Sequence, residues 1–265
     1  MKGWLVGLAL ATVFAASGVG LWITWDATQT SSTDLDGTRA NALVTTSDPG
    51  PVTTTTAPPP PECGAGEVVE VDPGDDWATT IIDSNHRLPA DYEPGDLVDA
   101  TEAGFESFDQ VRAIVVEDLA ALRAAAEANG TPIAIISGYR SYSYQQDLFE
   151  RRVAVEGEEV ASLSTARPGH SEHQLGTAID VLEPGVGELT ADFAATPAGR
   201  WLAEHAHEYG FVISYPEGAT AVTCYEFEPW HLRYVGRENA AAVVESGVPL
   251  REWLFDRAYA AGESG

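Results

Sequence analysis

The chain has 265 residues, 41 acidic and 14 basic, with a formal net charge of -27, and its 44% hydrophobic content excludes a wholly disordered chain. So acidic a protein repels phosphate backbones, which argues against a nucleic-acid partner. Two cysteines, Cys63 and Cys224, are too few for a four-cysteine zinc site or a disulfide scaffold, though one disulfide fits an oxidising compartment.

Gly3 to Trp25 is a run of 23 uncharged residues after Met1-Lys2. As a helix it would be roughly 34 Å long, enough to span a bilayer. Trp4, Trp22 and Trp25 flank it as interfacial anchors would. The length favours a single uncleaved transmembrane anchor (1–25) over a cleaved signal, whose apolar core is shorter; both stay open. The lone N-terminal cation places the N-terminus in the cytoplasm and the rest outside the membrane. Residues 26–62 form a Thr/Pro-rich linker, with Thr53–Thr56 and Pro58–Pro61, too poor in apolar residues to fold. The domain is therefore 63–265, expected to be a monomer, and it carries 36 acidic residues against 12 arginines.

Within the domain, Val111, Ile114, Val115, Leu119 and Leu122 recur at helical spacing, which predicts a helix over 107–129 stopped by Asn129-Gly130. Residues 131–136 read as a buried strand and 141–156 as a helix. A strand is expected over 176–182. Thr196 caps a helix that Pro197 opens and Gly210 closes. Strands are expected at 211–214 and 230–235, then helices at 238–246 and 249–260. Strands and helices without strict alternation point to an α+β fold.

The chemistry concentrates in two stretches. His173 and Asp180 stand in Ser171-Glu-His-Gln-Leu-Gly-Thr-Ala-Ile-Asp180. A carboxylate on so apolar a strand needs a partner, either an arginine or a metal ion. Glu228-Pro-Trp-His231 is the second stretch, and Glu-x-x-His alone is a weak signal. His173, Asp180 and His231 together would make a His₂Asp zinc set with an open fourth position. Glu228, in a turn expected to be exposed, would then serve as the base. Arg140 directly follows a buried strand; it would either stabilise an oxyanion and hold a carboxylate, or make a surface ion pair. His205 and His207 lie two apart and cannot form an i,i+4 pair; His86 reads as a loop residue, and His170 as at most a neighbour of the site.

Taken together, Ser137-Gly-Tyr-Arg-Ser-Tyr142 with Gln146, Pro168–Asp180, and Tyr225–Gly236 resemble the VanY-type zinc D-alanyl-D-alanine carboxypeptidases. His86–Tyr92 and Asp96–Val98 resemble that family's entry segment. The likeness covers roughly residues 80–240. It implies the α+β fold of hedgehog-type and lysostaphin-type peptidases, a central antiparallel sheet flanked by helices. It also implies one Zn²⁺ on His173, Asp180 and His231, Glu228 as catalytic base and Arg140 as catalytic arginine. Ser171 and Gln146 would contact a peptidoglycan stem peptide, from which the terminal D-Ala is removed outside the cell membrane. An L,D-carboxypeptidase, a stem-peptide endopeptidase or a non-catalytic wall-binding module are the other readings. Two departures from the pattern are notable. Ser214 stands where relatives often carry a basic residue, which would alter recognition of a charged stem. Cys224 stands where glycine is common, and with Cys63 suggests a disulfide.

Overall fold

The computed structural model describes residues 57–262. The expected anchor (1–25) and most of the expected linker lie outside them. Among the described residues, no helix is long and apolar enough to cross a membrane.

Two small pairings open the domain. Strand β1 (Val69–Glu70) runs parallel to β2 (His86–Arg87), and β3 (Leu97–Asp99) runs antiparallel to β4 (Gln110–Arg112). Then come α1 (Val116–Ala128), β5 (Ala134–Ser137), α2 (Tyr142–Glu156), α3 (Glu158–Ser164), β6 (Ala178–Leu182) and α4 (Pro197–His205). The chain finishes with β7 (Phe211–Ile213), α5 (Thr220–Thr223), β8 (His231–Tyr234), α6 (Arg237–Ser246) and α7 (Leu250–Ala260). Four strands form the central sheet in the order β5-β6-β8-β7, with every neighbouring pair antiparallel. The α+β class and the antiparallel sheet are as expected.

Side-chain alternation divides the sheet by function. On β6, Ile179 and Val181 enter the main apolar cluster with Leu119 and Leu122 of α1 and Leu202 of α4. All five are at most 1% exposed, and each such side chain contributes about 1.5–3 kcal/mol by leaving water. Ala178 and Asp180 alternate with them on the opposite face. Asp180 lies directly across from His231 on β8, so strand register alone brings these two side chains together. The turn before β6 depends on Gly176, which has φ 72°; a Cβ there would come within 2.9 Å of Arg112 Cγ.

Local signals set most helix ends. Ser141 Oγ accepts from Tyr144 N at 3.2 Å and caps α2, while Thr196 Oγ1 accepts from Gly199 N at 3.0 Å and caps α4. The expected helix over 107–129 is corrected at its start. Gln110–Arg112 is a strand, Ala113–Val115 a 3₁₀ turn, and the α-helix begins at Val116. Val111 is fully buried, and it fits the alternation of a strand as well as it fits a helical stripe. Ile114, counted in that stripe, is half exposed. His86, expected in a loop, lies in β2. On α7, Leu254 packs into a second cluster with Leu250 and Val243, whereas Tyr259 is exposed.

The ends of the domain are bound together. Cys63 and Cys224 form a disulfide with Cα atoms 5.3 Å apart. Nearby, Asp83 Oδ2 accepts from Arg251 Nε at 2.6 Å, and its Oδ1 accepts from the backbone N of Asn85 and of His86. Arg251 also donates to the carbonyls of Val222 and Pro61. His170, 7% exposed, bonds through Nδ1 to the Asp83 carbonyl and is occupied there.

Candidate metal centre and active site

Three side chains from three elements converge on one point. His173 comes from the 3₁₀ turn Glu172–Leu175, Asp180 from β6 and His231 from β8. His173 Nε2 and His231 Nδ1 are 3.2 Å apart, His231 Nδ1 and Asp180 Oδ1 3.1 Å, and His173 Nε2 and Asp180 Oδ1 3.3 Å. Donors bound to one tetrahedral zinc at ~2.0–2.1 Å stand ~3.3–3.4 Å from each other. The three atoms therefore already mark one face of such a tetrahedron. No arginine pairs with Asp180 among the described residues.

The outward nitrogens are held so that the inward ones are free to ligate. The Gly138 carbonyl accepts from His173 Nδ1 at 2.7 Å, which leaves the Nε2 lone pair facing the cluster. Gly138 is required there, because a Cβ would come to 2.5 Å from the Gln110 carbonyl. Glu172 Oε2 accepts from His231 Nε2 at 2.9 Å, which leaves Nδ1 inward. Burial, and after it the charge of Arg140, pushes His173 down to about 4, which favours its neutral ring near pH 7. Burial alone would also lower His231, but its hydrogen bonds to Asp180 and Glu172 outweigh that and raise it. The donor set and its spacing fit zinc.

Glu228 sits beside this cluster, with Oε2 3.9 Å from His231 Nδ1. Its side chain is 14% exposed, so the expected exposed turn is corrected to a largely buried one. Its backbone N donates to the Tyr215 carbonyl, and its own carbonyl accepts from His231 N. These bonds turn the carboxyl inward. Burial pushes it up to about 7, the range suited to taking and returning a proton. A divalent cation beside it would draw that value back down. Tyr215 stacks on the His231 ring, with centroids 4.8 Å apart, and Tyr225 packs on Tyr215.

Arg140 lies three residues after β5, and its backbone N donates to the His173 carbonyl. It makes no ion pair among the described residues. Its Nε is buried without a hydrogen-bond partner. Of the two roles open for it, the surface ion pair is thus not the one observed. Ser171 is 4% exposed and opens the turn that carries His173. Gln146 is on the exposed side of α2, with its amide donating to Glu150 at 2.8 Å. Ser214 is buried and donates to Glu172 at 2.6 Å. It faces the interior beneath His231, so its departure from the pattern bears on the cluster's support and not on a surface that meets a charged stem.

Sequence reasoning passed over Glu172 and Arg233. The available signal was alternation: Arg233 is two residues from His231 on β8 and so shares its face.

Comparison with known proteins agrees with this geometry. The VanY family of D-alanyl-D-alanine carboxypeptidases matches residues 109–237, from β4 to the first residue of α6. YodJ of Bacillus subtilis (strain 168) is 40% identical over 179 residues, and the match takes in 66% of each chain. The structure of the LdcB LD-carboxypeptidase superposes with a TM-score of 0.60 at 36% identity, over 66% of this chain and 84% of that one. A vancomycin-resistance D,D-pentapeptidase VanY in complex with Zn(II) gives 0.58 at 30% identity, over 67% of this chain and 99% of that one. VanYB in complex with D-Ala-D-Ala gives the same score and identity, over 67% and 97%. The residue cluster and these matches together place the chain in the VanY D-alanyl-D-alanine carboxypeptidase family.

Proposed function

We propose that this protein is a zinc D,D-carboxypeptidase that removes the terminal D-Ala from peptidoglycan stem peptides outside the cell membrane, tethered there by residues 1–25. The observation that carries the reading is the set of three donor atoms 3.1–3.3 Å apart with Glu228 beside them. His173, Asp180 and His231 would hold the ion. When bound, Zn²⁺ supplies a Lewis acid and an acidified water. Glu228 accepts the proton from the attacking water and passes it to the departing amine of D-Ala. Arg140 adds positive charge where negative charge develops on the scissile carbonyl, or holds the terminal carboxylate. Ser171 and Gln146 would meet the stem further from the cut.

A second reading, L,D-carboxypeptidase action on tetrapeptides, is favoured by the likeness to LdcB, at a higher identity than to VanY. The same residues would serve it, with a different pocket shape. Mass spectrometry of the products from tripeptide, tetrapeptide and pentapeptide stems separates the two. Loss of one D-Ala from the pentapeptide alone supports the D,D reading. Conversion of tetrapeptide to tripeptide supports the L,D reading, and no cleavage of any stem overturns both. Run on fractionated cells, the same assay should find activity in the membrane pellet only when residues 1–25 are present.

A further inference from the structure

We propose that Glu172 is a positioning residue of the metal centre, fixed for that task by Arg233 and Ser214. The proposal rests on the metallopeptidase reading above. Glu172 immediately precedes His173, yet its carboxylate reaches across to the other ligand-bearing strand. Oε2 accepts from His231 Nε2 at 2.9 Å and from Ser214 Oγ at 2.6 Å, while Oε1 accepts from Arg233 Nη1 at 2.8 Å. Both oxygens are in use, and the residue is 4% exposed. Arg233 is fully buried, and its Nη2 donates to the carbonyls of Trp77 and Thr80 at 3.3 and 2.7 Å. Glu172 therefore cannot swing away without unpairing three donors.

The simpler account is a core ion pair that only stabilises the fold. Taking a carboxylate and a guanidinium out of water costs about as much as their attraction returns, so stability is a weak reason for such a pair. What the arrangement does supply is orientation. Alternation along β8 presents His231 and Arg233 to one carboxylate. With its proton held on Nε2 by Glu172, His231 can offer only the Nδ1 lone pair to the cluster. The bond also pushes electron density toward Nδ1, which makes it a stronger ligand. Because Glu172 adjoins His173 in the chain, it registers the two histidine ligands against each other before any ion arrives.

The test uses the full chain with Glu172→Gln, Glu172→Asp and Ser214→Ala. Zinc affinity is read by competition with a chromophoric chelator, and site geometry by the visible spectrum of the Co²⁺-substituted protein. Glu172→Gln should weaken zinc by about 10–100-fold and shift the Co²⁺ spectrum while the protein stays folded by circular dichroism. Glu172→Asp keeps the charge facing Arg233 but withdraws it from His231, so it should lose zinc affinity similarly even if the glutamine variant fails to fold. Ser214→Ala should lose less, in the same direction. If the folded Glu172 variants bind zinc within about threefold of wild type with an unchanged Co²⁺ spectrum and only a lower Tm, Glu172 is a structural ion pair and the proposal fails. If the wild-type protein itself takes up no zinc, the metallopeptidase reading fails instead.

Discussion

Glu228 combines two conditions that pull against each other. Burial favours its protonated form, while Arg140 and His231 favour the ionised one, and the balance falls at about 7. A bound divalent cation would shift that balance toward the ionised form, which is the form that takes a proton from water. Glu228→Gln preserves shape and removes this capacity, so zinc content should stay near one per chain while kcat falls at least about 100-fold. Metal analysis beside steady-state kinetics checks both. Retained turnover would show that another group moves the proton. The convergence of His173, Asp180 and His231 with Glu228 beside them was readable only because the two stretches that carry them were taken together with the motifs around them. Their supports were not. Glu172 meets Arg233 across 61 residues of sequence, and only the sheet's register reveals that meeting. The Gly138 carbonyl that orients His173 is backbone, which no residue pattern marks.

Among the elements, β6 and α1 form the floor on which the site is built. Leu119 and Leu122 of α1 are fully buried against Ile179 and Val181, which alternate with Asp180. Leu122→Ala should destabilise the domain by about 2–5 kcal/mol through lost burial and a cavity. Denaturant unfolding measures the loss, and the intercept should move with little change in slope. Helices α2 and α4 were legible from the Ser141 and Thr196 caps, and α6 from its Gly247 stop. The strand pairing ahead of α1 was not. Strands β3 and β4 have three residues each, too few for alternation to stand out, and Val111 satisfies the helical and strand patterns alike. Helix α3, seven residues long after Gly157, spans about two turns and leaves little stripe to read.

Across the whole molecule, Asp83 joins the N-terminal segment to the C-terminal helix. Burial alone would raise its pKa, but hydrogen bonds and charge from His86 and Arg251 outweigh that and lower it from 3.8 to about 2. Because the folded value is depressed, the stabilisation is fully present above pH 3.8 and is lost as pH falls toward 2. Its size is on the order of 2 kcal/mol. Unfolding of wild type and Asp83→Asn followed against pH should show a stability gap at neutral pH that narrows between pH 4 and pH 2. A gap independent of pH in that window would assign the acid sensitivity to other carboxylates.

The disulfide described above also decides how the domain bears load. Tension on the segment before residue 63 enters at Cys63 and crosses a covalent bond to Cys224. For a pull between that segment and the C-terminal helices, the covalent path bypasses the intervening chain, including the two-residue β1–β2 pairing. Residue 224 is followed at once by Tyr225 and, three residues later, by Glu228. A pull from the N-terminal side is thus delivered to the segment that leads to Glu228, the base of the proposed mechanism, without passing along the outer strands.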